Sequence, residues 1–180
     1  GAEVLVSFNA SVFRDTADKV VGILAAARDV TQRRVIESQL NEQQQYTRGL
    51  IESNIDALVT IDPLGVIMDV NLQMCQVTGR TREELVGSHF AECFTDPQRA
   101  EDGVRKTLTE SSVRNYELTV RAKDERQTVV SYNATTFTGA DGRLRGVFAA
   151  ARDITDQKRL EEQLRQAHAY NRGLIESSVD

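Results

Sequence analysis

The chain has 180 residues, of which 40% are hydrophobic, and this is enough for one domain or for two small ones. Its formal net charge of −5 at pH 7 gives no general electrostatic attraction to nucleic acid or to an anionic membrane. No run of residues reaches the length of a membrane span, and two cysteines without a Cys-x-x-Cys pair are too few for a disulfide framework, so a cytoplasmic region with reduced thiols is expected.

The first elements are predicted to be a β-hairpin. Residues 4–13 alternate in polarity and are rich in β-branched and aromatic side chains, which indicates a strand. A polar turn over residues 14–19 and a second strand over residues 20–30 follow. A lone hairpin is only marginally stable in water, so this one is expected to need a sheet to join. Three arrangements stay open: pairing with a neighbouring molecule, exchange between molecules, and poor order.

A helix of about 35 Å is predicted next, from Thr31 as its N-cap to about Ser53. Its candidate seam, which includes the polar residues Gln43 and Thr47, follows the four- and three-residue spacing of a coiled coil, which two helices share. The competing interpretation is a single amphipathic helix that lies on its own domain. We expect a homodimer in which this helix pairs with the same helix of a second chain. The corresponding helix near the end of the chain is expected to pair in the same way. The candidate seam residues are Ile36, Leu40, Leu50, Leu160, Leu164, Asn171 and Leu174.

The middle of the chain predicts an α+β fold. Two short strands are expected over residues 57–62 and 66–70. Asn71 is the expected N-cap of a short helix, Thr81 begins a capping box for another, and Asp96 caps the longest helix of this region. This order, closed by three longer strands, indicates an antiparallel sheet with helices over one face. The three strands are predicted over residues 113–122, 127–137 and 143–154.

The last of these strands passes directly into a charged helix. Residues 146–155 read Gly-Val-Phe-Ala-Ala-Ala-Arg-Asp-Ile-Thr, and Thr155 is the expected N-cap, with Asp156 in the first turn where a carboxylate favours the helix dipole. Nearly the same residues stand at 22–31. When the sequence is shifted by these 124 residues, about two-fifths of the overlapping positions are identical. The repeat predicts a piece of a tandem array in which one unit is complete.

The closing motif resembles the end of a PAS domain, with a PAC-type motif and an output helix. The resemblance implies a five-stranded antiparallel sheet, short helices that enclose a small cavity, and long linker helices. It also implies a bacterial signalling protein similar to sensor histidine kinases and cyclic-dinucleotide enzymes, with adjacent repeats and an output domain elsewhere. The expected division is the last two strands of a preceding repeat at 1–31, a linker helix at 32–53, a complete PAS domain at 54–156, and a linker helix with the start of the next repeat at 157–180.

PAS cofactors leave marks that the sequence does not carry. Haem-binding members carry a His on the long helix, and residues 95–110 contain none. Light-sensing flavin members carry Gly-x-Asn-Cys-Arg-Phe, whereas Cys93 lies six residues after Gly87. No cofactor is therefore predicted, although a noncovalent flavin or a small metabolite stays open. The implied cavity residues, which alternatively only fill the core, are Met74, His89, Phe90, Phe94, Leu118, Tyr132 and Phe148.

No nucleophile–base pair and no metal cluster can be named, so this segment is not expected to be an enzyme. His168 is followed by Ala169 and so lacks the Glu of a kinase phosphoacceptor motif. We expect a sensory or signal-relay module in which Arg152, Asp153 and Thr155 connect the last strand to the output helix. The rival interpretation is a structural spacer and dimerisation module without a ligand.

Overall fold

The computed structural model describes the backbone of residues 4–177 and the side chains of residues 4–169. The chain divides into two compact units, Gly1–Gly49 and Leu50–Asp180. The strands are β1 Val6–Arg14, β2 Val20–Asp29, β3 Ala57–Ile61, β4 Ile67–Val70, β5 Ser112–Arg121, β6 Gln127–Thr138 and β7 Leu144–Asp153. The helices are α1 Thr31–Glu52, α2 Leu72–Thr78, α3 Arg82–Leu85, a short 3₁₀ helix Phe90–Cys93, α4 Pro97–Glu110 and α5 Thr155–Ser177.

In the first unit, β1 and β2 form an antiparallel hairpin. The Asp15 carboxylate closes its turn by accepting hydrogen bonds from the N–H groups of Ala17 and Lys19 at 2.9 and 3.0 Å. The large apolar side chains of the hairpin are exposed, as Phe8 and Ile23 illustrate at 64% and 68%. Both predicted strands are confirmed, and within residues 4–49 no further strand joins them.

In the second unit, residues 50–177 contain five strands that form one antiparallel sheet in the order β4-β3-β7-β6-β5. The strand that opens the unit, β3, pairs with the strand that closes it, β7, and Ala57 lies opposite Ala151. The beginning and the end of the unit are therefore neighbours in the middle of the sheet. The predicted α+β fold with a five-stranded antiparallel sheet is confirmed.

The helices between β4 and β5 begin at their predicted capping residues. The Asn71 side chain accepts a hydrogen bond from the Met74 N–H, and Thr81 and Glu84 form the capping box of α3. Asp96 caps α4 in the same way, with a proline in the first turn. Side chains from these helices and from the inner face of the sheet form one hydrophobic core.

The alternation along β7 identifies the inner face of the sheet. Val147 and Ala149 are buried in the core, whereas Phe148 between them is 38% exposed on the opposite face. Gly146 precedes them with a positive φ angle, and a Cβ atom at this position would overlap the carbonyl oxygen of Ile61. The glycine of the repeated motif thus permits the close approach of β7 to β3.

Candidate functional site

The start of α5 is fixed to the sheet at the end of β7. The Asp153 carboxylate accepts a hydrogen bond from the Thr155 N–H at 2.8 Å, and the Thr155 hydroxyl accepts one from the Val129 N–H of β6 at 3.0 Å. The Ile154 N–H donates to the Val129 carbonyl at 2.9 Å. These three bonds connect the start of α5 to both β6 and β7.

This geometry corrects the role that the sequence suggests for the threonines. Thr155 is the first residue of α5 rather than its N-cap. Its hydroxyl accepts a hydrogen bond from an N–H group of β6 and not from one of its own helix. Thr31 is likewise the first residue of α1. The two N-cap predictions are wrong because local spacing cannot reveal that a distant N–H group competes for the hydroxyl. Asp156 lies in the first turn, as predicted.

The first unit contains the same junction between β2 and α1. The Asp29 carboxylate accepts a hydrogen bond from the Thr31 N–H at 2.9 Å, and the Thr31 hydroxyl accepts one from the Leu5 N–H at 2.8 Å. The Val30 N–H donates to the Leu5 carbonyl at 2.9 Å. Hydrogen bonds from the main chain and side chain of Thr31 lower the pKa of Asp29. Each residue stands 124 positions before its counterpart, so the repeat extends from sequence to hydrogen-bond geometry.

Arg152 connects the end of β7 to the segment that precedes β3. Its guanidinium forms two hydrogen bonds of 3.3 Å with the two oxygens of the Asp56 carboxylate. The hydrogen bonds and the charge of Asp56 raise the pKa of Arg152. Sequence reasoning named Arg152 but not its partner, because 96 residues separate them and only complementary charge relates them.

A further contact that sequence reasoning missed holds the first turns of α5. The Lys158 Nζ atom lies 2.7 Å from the Glu117 Oε1 atom of β5, and this hydrogen bond raises the pKa of Lys158. Glu117 stands between Tyr116 and Leu118, and both of these side chains line the interior of the domain. The ion pair therefore connects α5 to a strand that also forms the inner cavity.

The inner cavity lies between α4 and the sheet and has a volume of about 20 Å³. This is room for about one water molecule. Of the predicted cavity residues, Phe90, Leu118 and Tyr132 line it. Met74 and Phe94 are fully buried members of the same core cluster. For these two residues the structure therefore fits the competing interpretation, in which the side chains fill the core.

The two remaining cavity predictions lie elsewhere. His89 lies in an exposed groove of about 360 Å³ beside α4, which shares the Phe90 side chain with the inner cavity. The prediction for Phe148 is wrong. Successive side chains of a strand point to opposite faces, and the inward positions of β7 belong to Val147 and Ala149.

Tyr132 places a polar group beside this apolar cavity. Among residues 4–169, its hydroxyl is the one buried side-chain polar atom that lacks a hydrogen-bond partner. Burial raises the pKa of Tyr132. Its ring packs edge-on against Phe90 and Phe94, with centroid distances of 5.6 and 5.8 Å. Burial also raises the pKa of the neighbouring Cys93 thiol to about 11, so this thiol stays protonated at neutral pH and is a poor nucleophile.

The cavity does not fit a flavin in this packing. Sites for ligands of drug size have volumes of roughly 300–1,000 Å³, against about 20 Å³ here. Within the described part of the chain, no group of three or more His, Cys, Asp and Glu side chains is arranged to hold a metal ion. No helix in residues 4–177 combines the length and the hydropathy of a membrane-spanning segment.

The predicted seam of the long helices is exposed. These leucine and isoleucine side chains are not buried within their own units, which argues against a helix that packs on its own domain. The side chains of Asn171 and Leu174 lie outside the described residues. The described seam residues, each more than half exposed, are Ile36, Leu40, Leu50, Leu160 and Leu164.

Comparisons with known proteins agree with the fold. A protein-family model described as PAS domain matches residues 55–156. Sporulation kinase E from Bacillus subtilis is 23% identical over 155 residues, which cover 85% of this chain and 20% of that protein. The chain spans about a fifth of the length of the curated relatives it matches.

Solved structures are similar in fold alone at these levels of identity. The PAS domain of an HTR-like protein from Haloarcula marismortui has a TM-score of 0.58 and 24% identity, over 68% of this chain and 99% of that one. A PAS domain from a two-component sensor histidine kinase has a TM-score of 0.55 and 15% identity, over 63% of this chain and 97% of that one. PAS domains are in general sensory modules without catalysis of their own. Because the family match covers more than half of its residues, this chain belongs to the PAS domain family.

Proposed function

We propose that this chain is a sensory and signal-relay segment of a larger signalling protein similar to sensor histidine kinases. A change in the PAS domain, or upstream of it, reaches α5 through Asp153 and Thr155, and α5 passes it to an output domain elsewhere in the protein. One observation carries the proposal: the strand-to-helix junction occurs twice with the same hydrogen bonds. The name of the relative sporulation kinase E supports the same class of protein.

The first unit supports a tandem arrangement. β1 and β2 match β6 and β7 in order, in antiparallel pairing and in their junction with a helix. The edge of β7 pairs with β3, whereas within residues 4–49 the corresponding edge of β2 has no partner strand. We infer that residues 1–31 are the last two strands of another PAS repeat and that residues 32–53 link it to the domain at 54–156. Residues 157–180 then form the next linker, after a PAC-type closing motif.

The linker helices are proposed to form a homodimer. The exposed side chains of Ile36, Leu40 and Leu50 in α1, and of Leu160 and Leu164 in α5, fit the register of a coiled coil, and a second copy of the same helix would cover them. The two α5 helices of the dimer would then pack side by side, and a shift at the junction in one subunit would also displace the α5 helix of the other. The cytoplasm is the proposed location, as the composition predicts.

A second candidate function is favoured by the size of the inner cavity. A volume of about 20 Å³ describes a filled core, and a filled core is what a spacer and dimerisation module without a ligand requires. In that case the domain relays changes from adjacent repeats only. The unpartnered hydroxyl of Tyr132 supports the sensory candidate instead, because buried polar groups are normally hydrogen-bonded.

The test of the relay is the Asp153→Ala substitution in the full-length protein. It removes the acceptor of the Thr155 N–H, so we expect a changed basal output or a changed response to the upstream signal. Asp156→Ala is the matched control, because this carboxylate is 98% exposed in the first turn and takes no part in the junction. Unchanged output and unchanged response in the Asp153 variant would contradict the proposal.

A further inference from the structure

The buried side chain of Asn71 binds the last turn of α1, which belongs to the second unit. The Asn71 Nδ2 group donates hydrogen bonds to the carbonyls of Ile51 and Asp56 at 3.3 and 3.0 Å. Its Oδ1 atom accepts from the N–H groups of Leu58 and Met74 at 2.8 and 3.0 Å. Asn71 is 1% exposed, so this amide holds the end of α1, the start of β3 and the start of α2 in one fixed arrangement.

A charged side chain fastens the same turn from outside. The Glu52 carboxylate accepts a hydrogen bond from the Leu72 N–H at 2.6 Å and lies 3.8 Å from the guanidinium of Arg82. Arg82 also forms an ion pair with Asp69. The end of α1 is therefore connected to β4, α2 and α3, and a movement of this turn must move the segment that follows it.

The segment that follows α1 ends at Asp56, whose main-chain carbonyl and side-chain carboxylate have different partners. Its carbonyl is bound by Asn71, and its carboxylate is bound by Arg152. Arg152 adjoins Asp153, the residue that receives the first N–H of α5. In the sheet, Ala57 and Ala151 lie directly opposite each other, so the ion pair sits at the end of the β3–β7 pair.

We propose that the Asp56–Arg152 ion pair is a direct relay from the end of α1 to the start of α5, one that does not pass through the inner cavity. Asp56 and Arg152 are positioning residues in this relay, since they act on α5 through Asp153. The Arg152 side chain is 72% exposed and that of Asp56 is 27% exposed. Because ion pairs in contact with solvent contribute little to stability, we expect the fold to tolerate the loss of this pair. The inference rests on the proposed function only in taking α5 as the output helix.

The Asp56–Arg152 relay is tested on the 180-residue chain by amide hydrogen exchange at residues 155–158. Glu52→Ala loosens the end of α1, and we expect it to raise exchange several-fold at the start of α5. In the Asp56→Asn background the same substitution is expected to leave exchange at the start of α5 unchanged. The charge-swapped double variant, Asp56→Arg with Arg152→Asp, is expected to restore the effect. Slow exchange in β6 and β7 serves in every variant as the check that the domain is folded.

The matched control breaks the other ion pair of a β7 arginine. Arg145 and Asp141 lie 3.3 Å apart at the opposite end of the strand, and Asp141→Asn should leave the effect of Glu52→Ala on α5 intact. The proposed Asp56–Arg152 relay is contradicted if Glu52→Ala does not change amide exchange at residues 155–158. It is also contradicted if Glu52→Ala raises this exchange equally in the Asp56→Asn background. An altered output in the Asp153→Ala protein would still uphold the proposed function in either case.

Discussion

Among single residues, Tyr132 carries a hydroxyl that is expected to lower the stability of the domain. It is buried without a partner, and an unsatisfied buried hydroxyl costs about 1–3 kcal/mol. Tyr132→Phe removes this group and leaves the ring, and the first repeat already carries Phe8 at the corresponding position. We expect the free energy of unfolding, measured by urea denaturation, to rise by about 1 kcal/mol.

Tyr116→Phe is the control, with the opposite sign. The Tyr116 hydroxyl donates a hydrogen bond to the Arg99 carbonyl at 2.9 Å, so its removal should lower the free energy of unfolding by up to about 1 kcal/mol. A loss of stability in Tyr132→Phe would contradict the prediction. It would mean that the Tyr132 hydroxyl has a partner in solution, and the cavity of about 20 Å³ has room for a water molecule in that role.

Single residues were predicted from the sequence where their partners are local. The caps at Asn71 and Asp96 are examples, because a helix start is determined within four residues of its cap. Thr155 was misassigned because its hydroxyl binds a strand 26 residues earlier. The pair of Asp56 and Arg152 was missed for the same reason, since nothing in either local sequence specifies the distant partner.

The contact of α5 with β5 gives a prediction at the scale of elements. The Glu117 carboxylate raises the pKa of Lys158, so the ion pair stabilises the docked helix. Its contribution is complete below the ordinary lysine pKa of about 10.4 and is lost as the pH rises through the raised pKa of the folded protein. Glu117→Gln should therefore lower the pKa of Lys158, as followed by NMR titration of its side-chain signals.

Glu161→Gln is the comparison for this titration. Its carboxylate lies 4.0 Å from Lys158 Nζ, against 2.7 Å for Glu117, so it should lower the pKa of Lys158 by less. An unchanged pKa in Glu117→Gln would show that α5 does not rest on β5 in solution.

The strands and helices were predictable as elements, but their faces were only partly so. Alternation and turn residues located both strands of the hairpin and all five strands of the sheet, since these signals are local. Phe148 was placed inward because bulky side chains are usually buried, yet the run Ala149-Ala150-Ala151 gives no contrast in polarity from which to read the face. Only the pairing of β7 with β3 and β6 decides it.

For the whole chain, the internal repeat is the observation on which the proposed relay depends. The sequence repeats at an offset of 124 residues, and the junction of strand and helix repeats with it. The proposed relay between successive repeats would require the helix that leaves one domain to enter the next, and a recurring junction fits that proposal. In the proposed relay the end of α1 would be that input, because the Asn71 amide binds the Ile51 carbonyl and the Glu52 carboxylate binds the Leu72 N–H.

The exposed seam of α5 gives the prediction for the assembly. We expect a native mass spectrum of the purified chain to contain a dimer, and Leu160→Glu together with Leu164→Glu to convert it to a monomer, because charges at core positions of a coiled coil repel and lose solvation. Leu144→Glu is the control: this exposed leucine begins β7, at the end of the strand opposite the one that leads into α5, so the variant should remain a dimer. A monomeric unaltered chain, or a dimer that survives both seam substitutions, would contradict the shared coiled coil. Excess mass on the dimer would identify a ligand and favour sensing, whereas a dimer of the bare chain mass would favour the spacer, in agreement with a cavity of about 20 Å³.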